Sequence, residues 1–174
     1  GSRWGIDNNA DGYVDVWNYI SAEEASREAI RALISGNSKI LKPLLIDESD
    51  VKQLDISPTM AKQLLEQVDN AETKLAKNRA AAKGLSKNTR WLQFINTIPA
   101  AIPGEQLGAS NDLYIYENAM ATVETGSQTA LIQIGEMVRV GDAWKLAAIP
   151  QLMDQNAVQV AGLLMQPAFV GAET

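Results

Sequence analysis

The fold of this chain is decided by a stretch in its second half, Ala130 to Ile149, which reads ALIQIGEMVRVGDAWKLAAI. From Trp91 onward the apolar residues recur with a period of two, which is typical of β-strands with one buried face. The pair Gly141-Asp142 interrupts the stretch and is a hairpin signal. We therefore predict two antiparallel strands, over 130–140 and 143–149, joined by a tight turn.

Further strands precede this hairpin. The segment 112–124 is long and β-rich, and a turn at Gly126-Ser127 joins it to the hairpin, so three consecutive strands form a meander. Trp91 to Asn96 predicts one more strand. The segment 98–108 contains prolines, so we expect a loop or an irregular edge there.

The first half of the chain has helical signals instead. Ser21 and Glu24 have the spacing of a capping box, and Gly36 is a natural helix stop. Ser57 can cap a later helix, whose first position suits Pro58. The predicted helices run from Ser21 to Gly36, over 38–45, and from Ser57 to near Gly84.

Helices in one block and strands in another predict an α+β fold, with N-terminal helices packed on a curved, twisted antiparallel sheet. We expect this domain to cover 21–150, after an Asp-rich loop segment over 3–20. Residues 1–2, Gly-Ser, are typical of an expression-vector remnant. The apolar tail over 151–174 is expected to pack on the domain or to lead into a further domain of a longer protein.

Composition excludes several classes of function. The 174 residues contain no cysteine and no histidine, which excludes disulfides, thiolate or imidazole zinc sites and histidine-based triads. Any metal must therefore be a hard cation held by oxygen ligands. The net charge of −6 argues against nucleic acid as a partner. No apolar run reaches the roughly 18 residues of a membrane-spanning helix, so no membrane span is predicted.

An aspartate-rich segment near the N-terminus fits most of the template of a calcium-binding loop. Gly12 stands where the loop must turn sharply. Asn18 stands where the template has a bidentate glutamate, so the expected Ca²⁺ affinity is weak, on the order of 10⁻⁴–10⁻³ M. The alternative is a loop of Asx turns that binds nothing. The predicted ligands are Asp7, Asn9, Asp11, the backbone carbonyl of Tyr13, Asp15 and Asn18.

Two resemblances extend this reading. The Asp-rich segment resembles dockerin-like and other extracellular calcium repeats, which implies an exported or periplasmic protein. The run Tyr116-Glu117-Asn118-Ala119 and the hairpin over 134–146 resemble the cone-shaped fold of nuclear transport factor 2, ketosteroid isomerase and polyketide-cyclase-like proteins. This likeness covers roughly residues 21–150. It implies a cone that serves as an enzyme, a binding domain or a dimerisation module.

Enzymes of that fold typically use a pocket carboxylate with a tyrosine. Glu136 is the candidate base here, with Tyr116, Tyr114 and Asp112 as further catalytic candidates. The alternative is that the tyrosines pack in the sheet and Glu136 faces solvent. We favour this alternative, and hence a non-catalytic accessory or ligand-binding domain of a larger exported protein, with weak calcium binding. Its expected partner is a small apolar ligand. The alternatives are a cofactor-independent isomerase, cyclase or hydrolase, and a module that self-associates through its sheet.

Overall fold

The computed structural model of the protein describes residues 3–95 and 98–153. Within them, helices pack against a strongly curled antiparallel sheet, which confirms the predicted α+β class. The helices are α1 (Ala22–Ser35), α2 (Ser38–Leu41), α3 (Glu48–Leu54), α4 (Pro58–Val68), α5 (Ala71–Ala81) and α6 (Gly104–Leu107), with a 3₁₀ turn at Lys42–Leu44. The strands are β1 (Arg3–Ile6), β2 (Val16–Tyr19), β3 (Arg90–Phe94), β4 (Ala100–Ile102), β5 (Leu113–Thr125), β6 (Gln128–Val140), β7 (Ala143–Leu146) and β8 (Gln151–Leu152).

The predicted meander is the centre of the main sheet. Its strands run in the order β3-β5-β6-β7, while β4 pairs with β5 and β8 pairs with β6. Thr125 pairs with Gln128 across the first turn, and Val140 pairs with Ala143 across the second. Strands β5 and β6 have 13 residues each. Strands of this length accumulate enough twist for the sheet to curl around its core.

Helix α1 has the boundaries that its capping signals predict. The Ser21 side chain accepts a hydrogen bond from the Glu24 N–H at 3.2 Å, and Gly36 ends the helix with a left-handed φ of 67°. Ala25, Ala29 and Leu33 are fully buried on the face that packs on the sheet. The small alanines allow a close approach of helix to sheet, so α1 is the central helix of the core.

The predicted helix from Ser57 to Gly84 is wrong in one respect, because it is two helices. Chain direction changes at Asp69 and Asn70, where Asn70 has a left-handed φ of 54°. The Asp69 carboxylate accepts hydrogen bonds from the Asn70 backbone N–H and side-chain amide, both at 2.7 Å. Such local side-chain bonds compete with the helical hydrogen bonds of the backbone.

Other boundaries also differ from the prediction. The Asp-rich segment predicted as a loop over 3–20 contains two strands, since β1 and β2 pair as a hairpin. Helix α3 is not in the prediction, because seven residues are too few for a clear helical period. The irregular segment 98–108 contains β4 and α6, and the strand predicted over 143–149 already ends at Leu146. The tail beyond residue 153 lies outside the described residues.

The core lies between the helices and the curled sheet. Large side chains from both halves of the chain are fully buried in it. They are Ile30, Leu33, Leu41, Leu44, Leu64, Leu75, Ile115, Ile132, Ile134, Met137 and Leu146. Across the described ranges, 3–95 and 98–153, no helix has the length and apolar character needed to cross a membrane.

Candidate functional site

A cavity of about 650 Å³ lies between α1, the C-terminal part of α5, the connection that follows it and β3. We call it the α1–α5 cavity. Ile34 and Leu85 present accessible apolar surface to it, whereas Ile30, Leu33 and Ala82 also line it but are almost fully buried. The volume falls in the range of about 300–1,000 Å³ that is typical of small-molecule sites.

Four cationic side chains, Arg27, Arg31, Arg79 and Lys87, also line this cavity. Among the described residues that line it there is no aspartate or glutamate. Arg27 pairs with Glu24 at 3.2 Å and Arg31 pairs with Glu28 at 2.7 Å, both along the surface of α1.

Trp91 of β3 closes one end of the cavity and is held in a defined position. Its Nε1 donates a hydrogen bond to Ser26 Oγ at 3.1 Å. Ser26 is fully buried, and its own hydroxyl donates to the Glu23 carbonyl at 2.7 Å. The Arg27 guanidinium lies 4.8 Å from the Trp91 ring centre, which is a favourable cation–π distance.

Arg79 occupies the other end of the cavity, beside the C-terminus of α1. A Cβ added to Gly36 would lie 2.8 Å from Arg79 Nη1, so the guanidinium packs directly on this glycine. The last turn of α1 has no basic residue of its own. Arg79 therefore brings a positive charge from α5 to the negative end of the α1 dipole.

A second concavity lies between α3 and α4, and we call it the α3–α4 groove. Its volume is about 920 Å³, but it is more open than the first. Val51, Ile56 and Leu65 contribute to its apolar lining, whereas Asp47 and Glu66 are among its acidic residues. Because ligand sites usually bury most of the ligand surface, we regard the smaller cavity as the better candidate.

The four catalytic candidates occupy different environments. The expectation that Glu136 faces solvent is wrong, since Glu136 is only 4% exposed. Tyr116 packs against Phe94 and Trp144, with ring centres at 5.2 and 4.8 Å. Burial raises the pKa of Tyr116 above its usual value, and the charge of nearby Glu23 adds to the increase.

The remaining two candidates lie on β5 and at its start. Tyr114 is 46% exposed on the surface of the sheet. Asp112 precedes the strand, and its carboxylate accepts a hydrogen bond from the Gly104 N–H at 3.1 Å. Asp112 thus satisfies a backbone donor at the beginning of α6, which is a structural role.

The Asp-rich loop connects β1 to β2. Asp7 accepts hydrogen bonds from the N–H groups of Asp11 and Gly12 at 3.2 and 2.8 Å. Asn9 Oδ1 accepts from the same Asp11 N–H at 3.0 Å, and Asp15 accepts from the Asn8 N–H at 2.8 Å. Within residues 3–95 and 98–153, no three acidic side chains are arranged as a metal-binding cluster.

Two further predicted calcium ligands, Tyr13 and Asn18, differ in their position relative to this loop. The Tyr13 N–H donates to Asp11 Oδ1 at 2.9 Å, so Tyr13 belongs to the same turn network. Asn18, by contrast, is part of β2 and pairs with Trp4 of β1. The hairpin therefore separates Asn18 from the turn formed by the other predicted ligands.

The α1–α5 cavity is not among the predictions from sequence. Arg27 and Arg31 alternate with Ile30 and Ile34 at helical spacing, which is the one local signal of an amphipathic wall. The other walls come from residues about 50 to 60 positions away in the chain, and sequence periodicity does not report such contacts. No protein-family model, no curated protein and no solved structure matches the chain.

Proposed function

We propose that this chain is a non-catalytic binding domain that holds a small, largely apolar ligand in the α1–α5 cavity. The observation that carries the proposal is the cavity itself. It has a volume suited to a small molecule, accessible apolar surface from Ile34 and Leu85, and an oriented tryptophan. A binding role needs no more than this shape and lining.

None of the described residues that line the α1–α5 cavity is one of the four catalytic candidates, which favours binding over the isomerase, cyclase or hydrolase alternative. Tyr116 is engaged in aromatic packing, and Asp112 is engaged with the backbone of α6. A general base and its partner must lie within hydrogen-bonding reach of one substrate. That this domain serves a larger exported protein stays a prediction.

Binding can be tested with N-phenyl-1-naphthylamine, a neutral apolar dye whose fluorescence rises in apolar surroundings. We expect saturable binding at one site per chain. Leu85→Gln should weaken it about tenfold, because a half-buried apolar contact of the cavity wall is lost. Fluorescence titration measures both affinities.

Leu65→Gln is the matched control, since Leu65 is a half-buried leucine that lines the α3–α4 groove. It should leave the dye affinity unchanged. If Leu65→Gln weakened binding and Leu85→Gln did not, the ligand site would be the groove and the proposal would be wrong.

A second candidate function is weak calcium binding by the loop over 7–15. It rests on the oxygen-bearing side chains of Asp7, Asn9 and Asp11 in one turn, whose hydrogen bonds to backbone N–H groups a bound cation would displace. The paired strands on both sides also hold the ends of the loop together, which lowers the ordering cost of binding.

Isothermal titration with Ca²⁺ checks this function. We expect a dissociation constant on the order of 10⁻⁴–10⁻³ M, and no heat of binding for the double variant Asp7→Ala/Asp11→Ala. Asp69→Ala, which removes an exposed acid elsewhere, is the control and should bind normally. A silent trace for the unmodified chain would contradict calcium binding.

A further inference from the structure

We infer that the ligand of the α1–α5 cavity is an amphipathic organic anion, with an apolar body and a negatively charged head group. This inference rests on the proposed function and adds the chemical class of the ligand.

The first argument is the local charge. The chain has 21 acidic and 15 basic residues, yet four basic residues and no acidic one are among the described residues that line the cavity. A purely apolar ligand would gain no interaction energy from these positive charges. Because Glu24 and Glu28 offset the charges of Arg27 and Arg31, the net attraction for an anion comes from Arg79 and Lys87.

The second argument is that these cations are available to a ligand. The side chains of Arg27 and Arg31 are more than half exposed, although their partners Glu24 and Glu28 are only 16% and 12% exposed. A guanidinium has five N–H donors, so an arriving anion can share each arginine with its carboxylate. In the described part of the chain, neither Arg79 nor Lys87 is paired with a carboxylate.

The third argument is the arrangement along α1. Arg27, Arg31 and Ser35 repeat every four residues, and they run beside the apolar pair Ile30 and Ile34. At 1.5 Å per residue, the polar row extends about 12 Å and the isoleucine pair about 6 Å. Because Ile30 is only 1% exposed, a ligand lying along α1 would place its apolar body on Ile34 and its head group on the arginines. Their planar guanidinium groups suit carboxylates, sulfonates and phosphates.

The inference is tested by comparing two dyes that share one aromatic body. 1-Anilinonaphthalene-8-sulfonate carries a sulfonate, whereas N-phenyl-1-naphthylamine is neutral. We expect the sulfonate dye to bind about tenfold more tightly, as one charge-assisted contact implies. Added salt should weaken the sulfonate dye and leave the neutral dye unchanged.

Variants assign the effect to the cavity. Arg79→Met should weaken the sulfonate dye about tenfold and leave the neutral dye unchanged. Lys87→Met, in the exposed connection after α5, is a second variant with the same expected pattern. Lys77→Met, on α5 but outside the cavity lining, is the charge-matched control and should change neither affinity.

The outcomes separate this inference from the proposed function. If the neutral dye binds and depends on Leu85, while the sulfonate dye binds no more tightly or ignores Arg79 and Lys87, the anionic class is wrong and the binding domain stands. If neither dye binds at the cavity, both are overturned.

Discussion

Replacing Lys145 by methionine lowers the free energy of unfolding by about 3 kcal/mol near neutral pH, because it leaves a buried carboxylate without its cation. Lys145 Nζ lies 3.3 Å from Asp50 Oδ2, and both side chains are mostly buried. The same ammonium donates to the Pro43 carbonyl at 3.2 Å. This pair joins α3 to β7, so its loss weakens the packing of the helix on the sheet. Chemical denaturation measures the effect.

The loss of stability in Lys145→Met should become smaller as the pH is lowered. Burial raises the pKa of Asp50 above its ordinary value of 3.8, although Lys145 opposes the increase. A raised folded pKa means that the contribution of this group to stability is present below its unfolded pKa and is lost as pH rises through the folded one. Without Lys145 the pKa rises further. The variant should therefore recover much of its stability in acid, as Asp50 takes up a proton.

Lys42→Met is the control for this prediction. Lys42 and Glu72 form an exposed pair at 4.0 Å, so removal of the lysine should change stability by about 0.5 kcal/mol or less. Equal effects of the two substitutions, or a loss in Lys145→Met that does not shrink in acid, would show that the buried pair is not the cause.

Gly135→Ala should destabilise the protein by about 3 kcal/mol, from backbone strain and a steric clash together. Gly135 has a φ of 88° within β6, a conformation that side chains disfavour. A Cβ at this position would lie 2.5 Å from the Ala148 Cβ, far inside contact distance. Thermal or chemical denaturation of the variant measures the loss.

Gly126→Ala separates the two contributions. Gly126 also has a positive φ, 62°, but a Cβ there would meet nothing within 4 Å, so we expect a loss of only about 1 kcal/mol. The double variant Gly135→Ala/Ala148→Gly removes the clash and should recover part of the loss. If Gly135→Ala cost no more than Gly126→Ala, the contact with Ala148 would not be the constraint.

Much of the main sheet is predictable from sequence, because the signals lie within a few residues of what they determine. The turns at 126–127 and 141–142 set the limits of β5, β6 and the start of β7. The predicted strand boundaries are wrong where tertiary contacts end a strand early. β7 stops at Leu146, and the chain then bends before β8 pairs with β6.

The site is much less predictable. Glu136 was expected to face solvent as an acid, although regular alternation places it on the same strand face as the buried Ile134 and Val138. It is buried next to Gly135, where the register of β5 and β6 is irregular. The α1–α5 cavity combines Arg27, Arg79 and Trp91 from three separate segments, so no local window contains it.

The sequence by itself determined the local features of this protein: the beginning and end of α1, the turns of the meander and the turn at Gly12 in the Asp-rich loop. These depend on capping bonds and on backbone conformations that few residues adopt. Only the tertiary structure decided the pairing of β1 with β2, the separation of Asn18 from its loop and the α1–α5 cavity. These depend on which distant surfaces pack together, and chain closure over long separations leaves no periodic signal in the sequence.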